Sequence, residues 1–558
     1  MDVRGMMKSV DRPGSIKISI YTQHFTIGWY SLWSGWTEGF TYRMEVLGLT
    51  VPLWLVLTLL IMALYTYMMS RHHGTFKKLS IPRPSLVPIL GSLREIKKKG
   101  FQQFQKECMA KYGKVWGFYG GLTPQTLVVG DKDMLRQILV KDFSNFPDRV
   151  VFKGFNGDLE TSLNHLTGDD WKHVRNKITP VFSSGKLRKM FQMVDHASDT
   201  LVESLRKRLK EGEGMTDMME VYGGFTMDVI CSTAFGIQVD SQKNPNDEFV
   251  VNARKFMNLN FSSPIILILI FLPRLGFLMP LLGLSFADKG VQAFFRKVTI
   301  KLLNERVAGN KEKADFLQLM KNIQENKDDD AKEDGSEPFR GNKLPSSWSR
   351  KDITFDEILG NAEIFFFGGY ETTTIALSMA SYYLAIHPEY QDKLRQEISD
   401  KIGSSPLTYE NVRQIEYLEM VINETLRINP PFTFTDRVCQ RDTVINGVQI
   451  PAGMNISIPI YCIHHDPDNW QDPDKFLPER FADKDNLDPL TFLPFGYGPR
   501  TCIGMRLAFM EMKMSLAKVI RNFRLSVCSE TKVPPEFMKI GILKPKSVNL
   551  KVEKIGSK

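Results

Sequence analysis

Val46 to Met69 is an apolar run without one charged side chain, rich in Leu, Val, Ile, Met and aromatic residues. The hydrocarbon core of a bilayer needs about 20 apolar residues of helix, so the run predicts a transmembrane anchor over 46–69. A buried core helix is the weaker reading, because such helices seldom stay apolar all round for this length. Arg71, Lys77, Lys78 and Arg83 follow the run, whereas Arg43 is the only Lys or Arg in the 20 residues before it. That asymmetry leaves the large C-terminal part on the cytosolic side. A cleaved signal peptide fits poorly, since the run is too long and no small-residue cleavage site follows. Residues 1–45 form an N-terminal extension of unknown role, with Trp29, Trp33 and Trp36 in no clear period. It is either an interfacial aromatic segment or a start-site extension without a role, and Met44 itself reads as a natural start. Residues 70–99 read as a basic, proline-rich strap. Ile81-Pro82-Arg83-Pro84-Ser85 and Pro88 stiffen it, because proline fixes φ and disfavours helix before it.

From about residue 100 to 558 the spacing of apolar positions is mainly helical. Helices are predicted over Phe101–Tyr112, Gly185–Glu211, Thr216–Phe235, Val291–Val307, Thr354–Ile386 and Met505–Arg521. Two short β-type patches interrupt them: Val115–Gly130, and Thr443–Ile458 with an Asn446-Gly447 hairpin signal. The fold class expected is therefore mainly α with small β-sheets. Phe261–Phe286 is very apolar but broken by Pro264, Pro273, Arg274 and Pro280. A membrane-surface or lid segment and plain core packing both remain open for it. Gln324–Arg350 carries Asp328-Asp329-Asp330 with glycines and prolines and reads as a solvated loop. No internal repeat is visible.

Composition narrows the class. With 558 residues, 43% hydrophobic, 24% charged and a formal charge of +9, the chain is ordinary globular material, not disordered or collagenous. Its length implies more than one lobe, because single cores stop growing at roughly 250–300 residues. Cys108, Cys231, Cys439, Cys462, Cys502 and Cys528 are scattered with no CxxC pair. Zinc ribbons, CxxC redox sites and secreted disulfide frameworks are thus disfavoured, and reduced thiols are expected. No GxxxxGK[ST] or HExxH motif occurs, which leaves nucleotide hydrolysis and zinc proteolysis without support. Nothing points to a nucleic acid partner.

The chemistry concentrates in Phe495-Gly496-Tyr497-Gly498-Pro499-Arg500-Thr501-Cys502-Ile503-Gly504. Three glycines and a proline make this a loop. Cys502 then sits just before a helix, where free N–H groups and the positive end of the dipole favour thiolate over thiol. Gly498 and Gly504 allow close approach of a large flat partner, and Arg500 suits a carboxylate on it. A thiolate, a flat ligand and a nearby anion together suggest haem bound through cysteine. A lone cysteine is more often a small buried hydrophobe, but here it stands inside a ten-residue pattern.

A second cluster interrupts the predicted helix 354–386. Thr354-Phe355-Asp356-Glu357 fits a capping box, and His387-Pro388 stops the helix. Its centre is Gly368-Gly369-Tyr370-Glu371-Thr372-Thr373-Thr374. Two glycines there cost roughly 1–2 kcal/mol relative to alanine, and polar groups sit in an apolar element. Local rules broken together point to a site or, more blandly, to a tolerated glycine kink. Thr372 could bond its i−4 carbonyl or spare its hydroxyl for a bound dioxygen, with Glu371 relaying protons from solvent.

Phe495, Gly498, Arg500, Cys502 and Gly504 match every fixed position of the F-x-x-G-x-R-x-C-x-G signature, and the body resembles the cytochrome P-450 monooxygenases. Asp315-Phe316-Leu317-Gln318-Leu319-Met320 and Leu477-Pro478-Glu479-Arg480-Phe481 resemble in particular the microsomal family-3 enzymes that oxidise drugs and steroids. The resemblance implies the cytochrome P-450 fold and haem b with iron ligated axially by Cys502. It places Glu371 and Thr372, within G-x-[DE]-T-T, over the haem as the proton-delivering pair. Glu424, Arg427 and Arg480 would form a structural triad behind the haem. Trp171 and Arg175, in W-x-x-x-R, would reach a propionate, with Arg149 and Arg437 as further partners and Phe495 and Arg500 beside the thiolate. By correspondence Phe367, Gly368, Phe432 and Thr433 wall an apolar substrate pocket.

The implied reaction inserts one atom of O2 into a lipophilic substrate (steroid, fatty-acid or xenobiotic-like). Electrons come from NADPH through cytochrome P-450 reductase, with cytochrome b5 as an optional second donor. The chain would be a single-pass protein of the endoplasmic reticulum membrane with a cytosolic catalytic domain over 100–558. Lys172, Arg175 and Lys177 suit an acidic reductase, or are simply solvated charges. Two other readings stand beside this one: an isomerase resembling thromboxane synthase, and a non-catalytic haem carrier or sensor.

Overall fold

The structure, a computed structural model, describes residues 17–20, 23–26, 43–46, 49–84, 92–119, 125–151, 157–212, 214–244, 246–257, 288–308, 315–324, 352–483, 485–538 and 542–556. The chain divides into two units, Met1–Met68 and Met69–Lys558. The first holds two antiparallel hairpins, β1 (Lys17–Ile20) with β2 (Gln23–Thr26) and β3 (Arg43–Val46) with β4 (Leu49–Pro52). Helix α1 then begins at Leu53 and runs to His73. The expected span 46–69 is therefore divided between strand and helix. Pro52 accounts for the boundary, because its ring disfavours helix in the residues before it yet is tolerated at a helix start. Among the described residues no helix is long and apolar enough to cross a membrane.

In the second unit, the described start of the strap packs against the body. Phe76 is fully buried and Ile81 nearly so, and the Gly117 N–H donates to the Pro82 carbonyl at 2.9 Å. A Cβ at Gly117 would stand 2.6 Å from the Phe76 ring, so the glycine admits that ring against the sheet. Short helices at Thr75–Lys78 and Leu93–Lys99 flank this contact.

Helices dominate the remainder: α2 (Phe101–Tyr112), α3 (Gly168–Ile178), α4 (Ser184–Lys210), α5 (Met218–Ile230), α6 (Lys289–Ala308), α7 (Phe316–Gln324), α8 (Phe355–Ile386), α9 (Pro388–Ile402), α10 (Glu416–Ile428) and α11 (Met505–Asn522). A four-stranded sheet runs in the order β5 (Val115–Phe118), β6 (Thr126–Val129), β11 (Asn455–Ile458), β8 (Thr435–Val438). In it β11 is parallel to β6 and antiparallel to β8, with Ile456 opposite Leu127 and Arg437. Strands β9 (Thr443–Ile445) and β10 (Val448–Ile450) close the expected hairpin. Asn446 and Gly447 both take positive φ, 49° and 78°, as its tight turn requires. A third sheet pairs β13 (Asn549–Lys554) with β12 (Phe523–Ser526) and β7 (Met215–Asp217). Of the predicted helix over 216–235, the first residues are strand because the Asp217 carboxylate accepts from the Met219 N–H and caps α5 there. Residues 258–287 and 325–351, which contain nearly all of the apolar Phe261–Phe286 and polar Gln324–Arg350 segments, lie outside the described residues.

Helix α8 is the axis of the core. Its capping box forms as expected, with Glu357 N–H to Thr354 Oγ1 at 3.2 Å and Thr354 N–H to Glu357 Oε2 at 2.9 Å. The helix is continuous through Gly368-Gly369, over 32 residues. Packing overrides propensity. A Cβ on Gly369 would come within 2.7 Å of Ile230 Cδ1, so that glycine lets α5 lie close against α8. Hydroxyl pairs hold the same contact, Tyr222 to Ser381 at 2.8 Å and Thr226 to Thr374 at 2.7 Å.

Candidate active site

The loop before α11 is folded on itself. The Cys502 N–H donates to the Phe495 carbonyl at 2.8 Å, and the Thr501 hydroxyl reaches the same oxygen at 3.3 Å. Phe495 packs on Phe509, one turn into α11. Gly496 and Gly498 take φ of 71° and 77°, a region costly for residues with a Cβ. Gly498 is required by the protein's own backbone: a Cβ there would stand 2.1 Å from the Leu139 carbonyl. That corrects the expectation that its role is to admit a flat partner. Gly504 does leave open space where its Cβ would lie.

Cys502 is exposed, whereas Cys108, Cys231, Cys439 and Cys462 are buried. Surrounding protein nonetheless pushes its thiol up by burial. An accessible sulfur walled by protein sits in a recess, as a ligand to a bulky group must. The N–H groups of Gly504 and Met505 and the guanidiniums of Arg175 and Arg149 pull its pKa the other way, as expected at a helix N-terminus.

Four arginines surround this recess. Arg437 on β8 is 1% exposed, and burial together with repulsion from Arg149 lowers it to about 9. Arg175 on α3 is lowered to about 10, chiefly by burial. Arg500 is held well below its ordinary value by burial, then by Arg149 and Arg437. Asp148 answers part of this charge, at 3.5 Å from Arg500. The Nε atoms of Arg149 and Arg437 are buried with no hydrogen-bond partner. Crowded cations with orphaned donors call for an anion. A group with two carboxylates, such as haem, fits that requirement.

Within the cluster the roles differ. Arg500 donates to the carbonyls of Pro147, Leu163 and Leu166 at 2.8, 3.3 and 3.0 Å. Its guanidinium lies 4.0 Å from the centre of the Trp171 ring. This arginine fastens the cysteine loop to the chain around α3. Arg175 donates to the Thr501 carbonyl at 2.9 Å, which ties α3 to the loop. Arg149 donates to Asn164 at 2.6 Å.

On α8, Thr372 donates its hydroxyl to the Gly368 carbonyl at 2.6 Å. Glu371 is 5% exposed and lies 2.5 Å from Lys544 Nζ. Phe367 and Gly368 lie about one turn before this pair. Phe432 is 47% exposed, while Thr433 is buried at 2% with no partner for its hydroxyl. The wall at 431–433 is tied to the acid indirectly: the Leu543 N–H donates to Pro431 O at 2.8 Å, and the next residue is Lys544.

Two residues here were not singled out by the sequence pattern. Glu511 on α11 accepts a hydrogen bond from Thr373, and burial raises its carboxyl to about 8. An acid within the apolar spacing of 505–521 was a signal that could have found it. Lys544 lies in a segment without periodicity and gave none.

Glu424 and Arg427 are fully buried with contacts of 2.7 and 2.8 Å, and Arg480 joins Glu424 at 3.3 Å. Arg427 also donates to the carbonyls of His464, Pro473 and Lys475. The triad is a fully bonded tie between α10 and the 464–480 segment.

Comparison with known proteins gives the same direction. The sequence model of the family Cytochrome P450 matches residues 81–552. The chain is 39% identical over 511 residues to cytochrome P450 3A29 of Sus scrofa, covering 90% of this chain and 97% of that protein. It is 41% identical over 506 residues to cytochrome P450 3A9 of Rattus norvegicus (89% and 96% covered) and 39% over 510 to cytochrome P450 3A5 of Homo sapiens (90% and 97%).

Proposed function

Because the chain belongs to the cytochrome P450 family of haem-thiolate monooxygenases, we propose that Cys502 is the axial thiolate and that the arginines around it hold the propionates. The observation that carries this is the recess itself: one accessible thiol beside buried Arg437 and Arg500 and half-buried Arg149 and Arg175, with the Nε atoms of Arg149 and Arg437 buried and unpaired. Bound there, haem supplies oxygen activation, which thiolate ligation favours by pushing electron density onto the metal. The chain's own residues do the rest. Arg500 and Arg175 brace the cysteine loop, and Arg437 and Arg149 offer donors to carboxylates. Glu371 takes protons from the solvent side, and Thr372 passes them inward by turning its hydroxyl off the Gly368 carbonyl to which it donates at rest. Phe367, Gly368, Phe432 and Thr433 form an apolar wall suited to a lipophilic steroid, fatty-acid or xenobiotic-like substrate.

Electrons come from NADPH through a flavoprotein reductase, with cytochrome b5 as a second donor. The protein associates with the endoplasmic reticulum membrane through α1, which is not long and apolar enough to cross it but whose Leu57, Leu59, Leu60, Ile61 and Leu64 are all exposed and form an apolar surface that water disfavours. The reduced carbon monoxide complex tests the ligand assignment. It shows the red-shifted Soret band of haem-thiolate proteins, and Cys502→Ala lacks it. A Cys502→Ala protein with an unchanged band would overturn the assignment. Oxidation of a lipophilic substrate that stops without NADPH separates a monooxygenase from the isomerase and carrier readings.

A further inference from the structure

We propose that Lys544 is a positioning residue of the proton path, holding the Glu371 carboxylate on its solvent side. The inference rests on the reading above that Glu371 and Thr372 deliver protons. Lys544 belongs to the C-terminal segment that returns to the pocket after β12. Its place there is fixed by backbone bonds: Leu543 N–H to Pro431 O at 2.8 Å and Met538 N–H to Lys544 O at 2.9 Å. From that fixed point Nζ comes within 2.5 Å of Glu371 Oε1. The lysine side chain is 39% exposed and that of Glu371 only 7%, so the ammonium lies between bulk water and a nearly buried carboxylate.

The neighbouring groups make this contact decisive for where the acid points. Thr372 is committed to Gly368, and Thr373 donates to Glu511 on the other side of the helix path. Lys544 is thus the cation that orients Glu371, and it does so from a loop that also pins the wall at Pro431. A buried carboxylate without a partner would be driven to turn or to neutralise. The pair keeps it turned toward the water from which it is reprotonated. Lys544 exchanges no proton in this role; it fixes an orientation.

The test uses the full-length, haem-loaded enzyme with its reductase. Lys544→Met, Lys544→Arg, Glu371→Gln and the Lys544→Met/Glu371→Gln double variant are first matched for the reduced carbon monoxide spectrum. Peroxide released per NADPH consumed is then measured across pH. Lys544→Met raises it about fivefold, the scale of an ion pair worth about 1 kcal/mol, and shifts its pH profile. Lys544→Arg restores both, because charge and reach suffice. In the Glu371→Gln background the Lys544 change adds nothing. Thermal unfolding of the same four proteins gives a readout independent of turnover, a coupling between the two sites. Wild-type coupling of electrons in Lys544→Met, or additive effects in the double variant, would overturn the proposal. If Glu371→Gln itself leaves peroxide release unchanged, the proton-delivery reading fails first. If Glu371→Gln uncouples and Lys544→Met does not, only the role of Lys544 fails.

Discussion

Glu511 should make the stability of this protein fall as pH rises. Its side chain is 2% exposed, and burial raises the carboxyl from 4.5 to about 8 although Thr373 donates to it. A carboxyl whose folded-state value lies above its unfolded value binds more protons when folded. Its stabilising contribution is complete below the unfolded value and drains away as pH climbs toward the folded one. At 1.36 kcal/mol per unit, the interval from pH 5.5 to 8 amounts to about 3 kcal/mol. Glu511→Gln keeps the shape and an acceptor for Thr373 but cannot ionise. The variant should therefore melt close to wild type at pH 5.5 and clearly above it at pH 8.5. Comparing each variant with wild type at both pH values isolates this residue from Glu363, whose buried carboxyl is also raised to about 8. An unchanged gap between variant and wild type across that range would refute the reasoning.

Gly498→Ala should cost about 2–4 kcal/mol, combining a positive φ with a clash against Leu139 O, and is read as a lower haem-thiolate yield at equal expression. Arg427→Met leaves Glu424 buried and uncompensated, so a loss of about 3–5 kcal/mol in thermal unfolding is expected, with part of it recovered by adding Glu424→Gln. Arg437→Met removes an unpaired donor from the recess. Haem should pass to an apoprotein acceptor about tenfold faster, on the scale of one charge-assisted hydrogen bond.

Much of the site was legible because its chemistry is local. The cysteine loop declared itself through glycines and a proline before an amphipathic helix, and the capping box at Thr354 formed as its spacing required. What failed was anything decided by packing between distant segments. Gly368-Gly369 gave no sign of its packing role, whereas the close approach of Ile230 turns Gly369 into a contact surface within a continuous α8. Gly498 was credited to a ligand, whereas Leu139 O is the atom that forbids a side chain. Arg500 and Arg175 also hold backbone carbonyls of distant segments, contacts that their motifs do not encode. No sequence window contains both partners of such contacts.

The same limit explains the two carboxylates beside Thr372. Glu371 and Glu511 are both nearly buried, but they differ in company. One meets an ammonium at 2.5 Å; the other meets a threonine hydroxyl and is raised to about 8 by burial. Sites that must move protons commonly place two acids in environments that separate their tasks. Here the separation follows from the fold: a loop with access to water brings the cation to Glu371, while α11, which begins at the cysteine, brings Glu511 into the dry core. Glu371 therefore meets its cation on the side nearer water, and Glu511, its carboxyl raised by burial, anchors α11 to α8 through Thr373. A proton path needs the first and a fixed distance between the helices needs the second, so exchanging their environments should damage both.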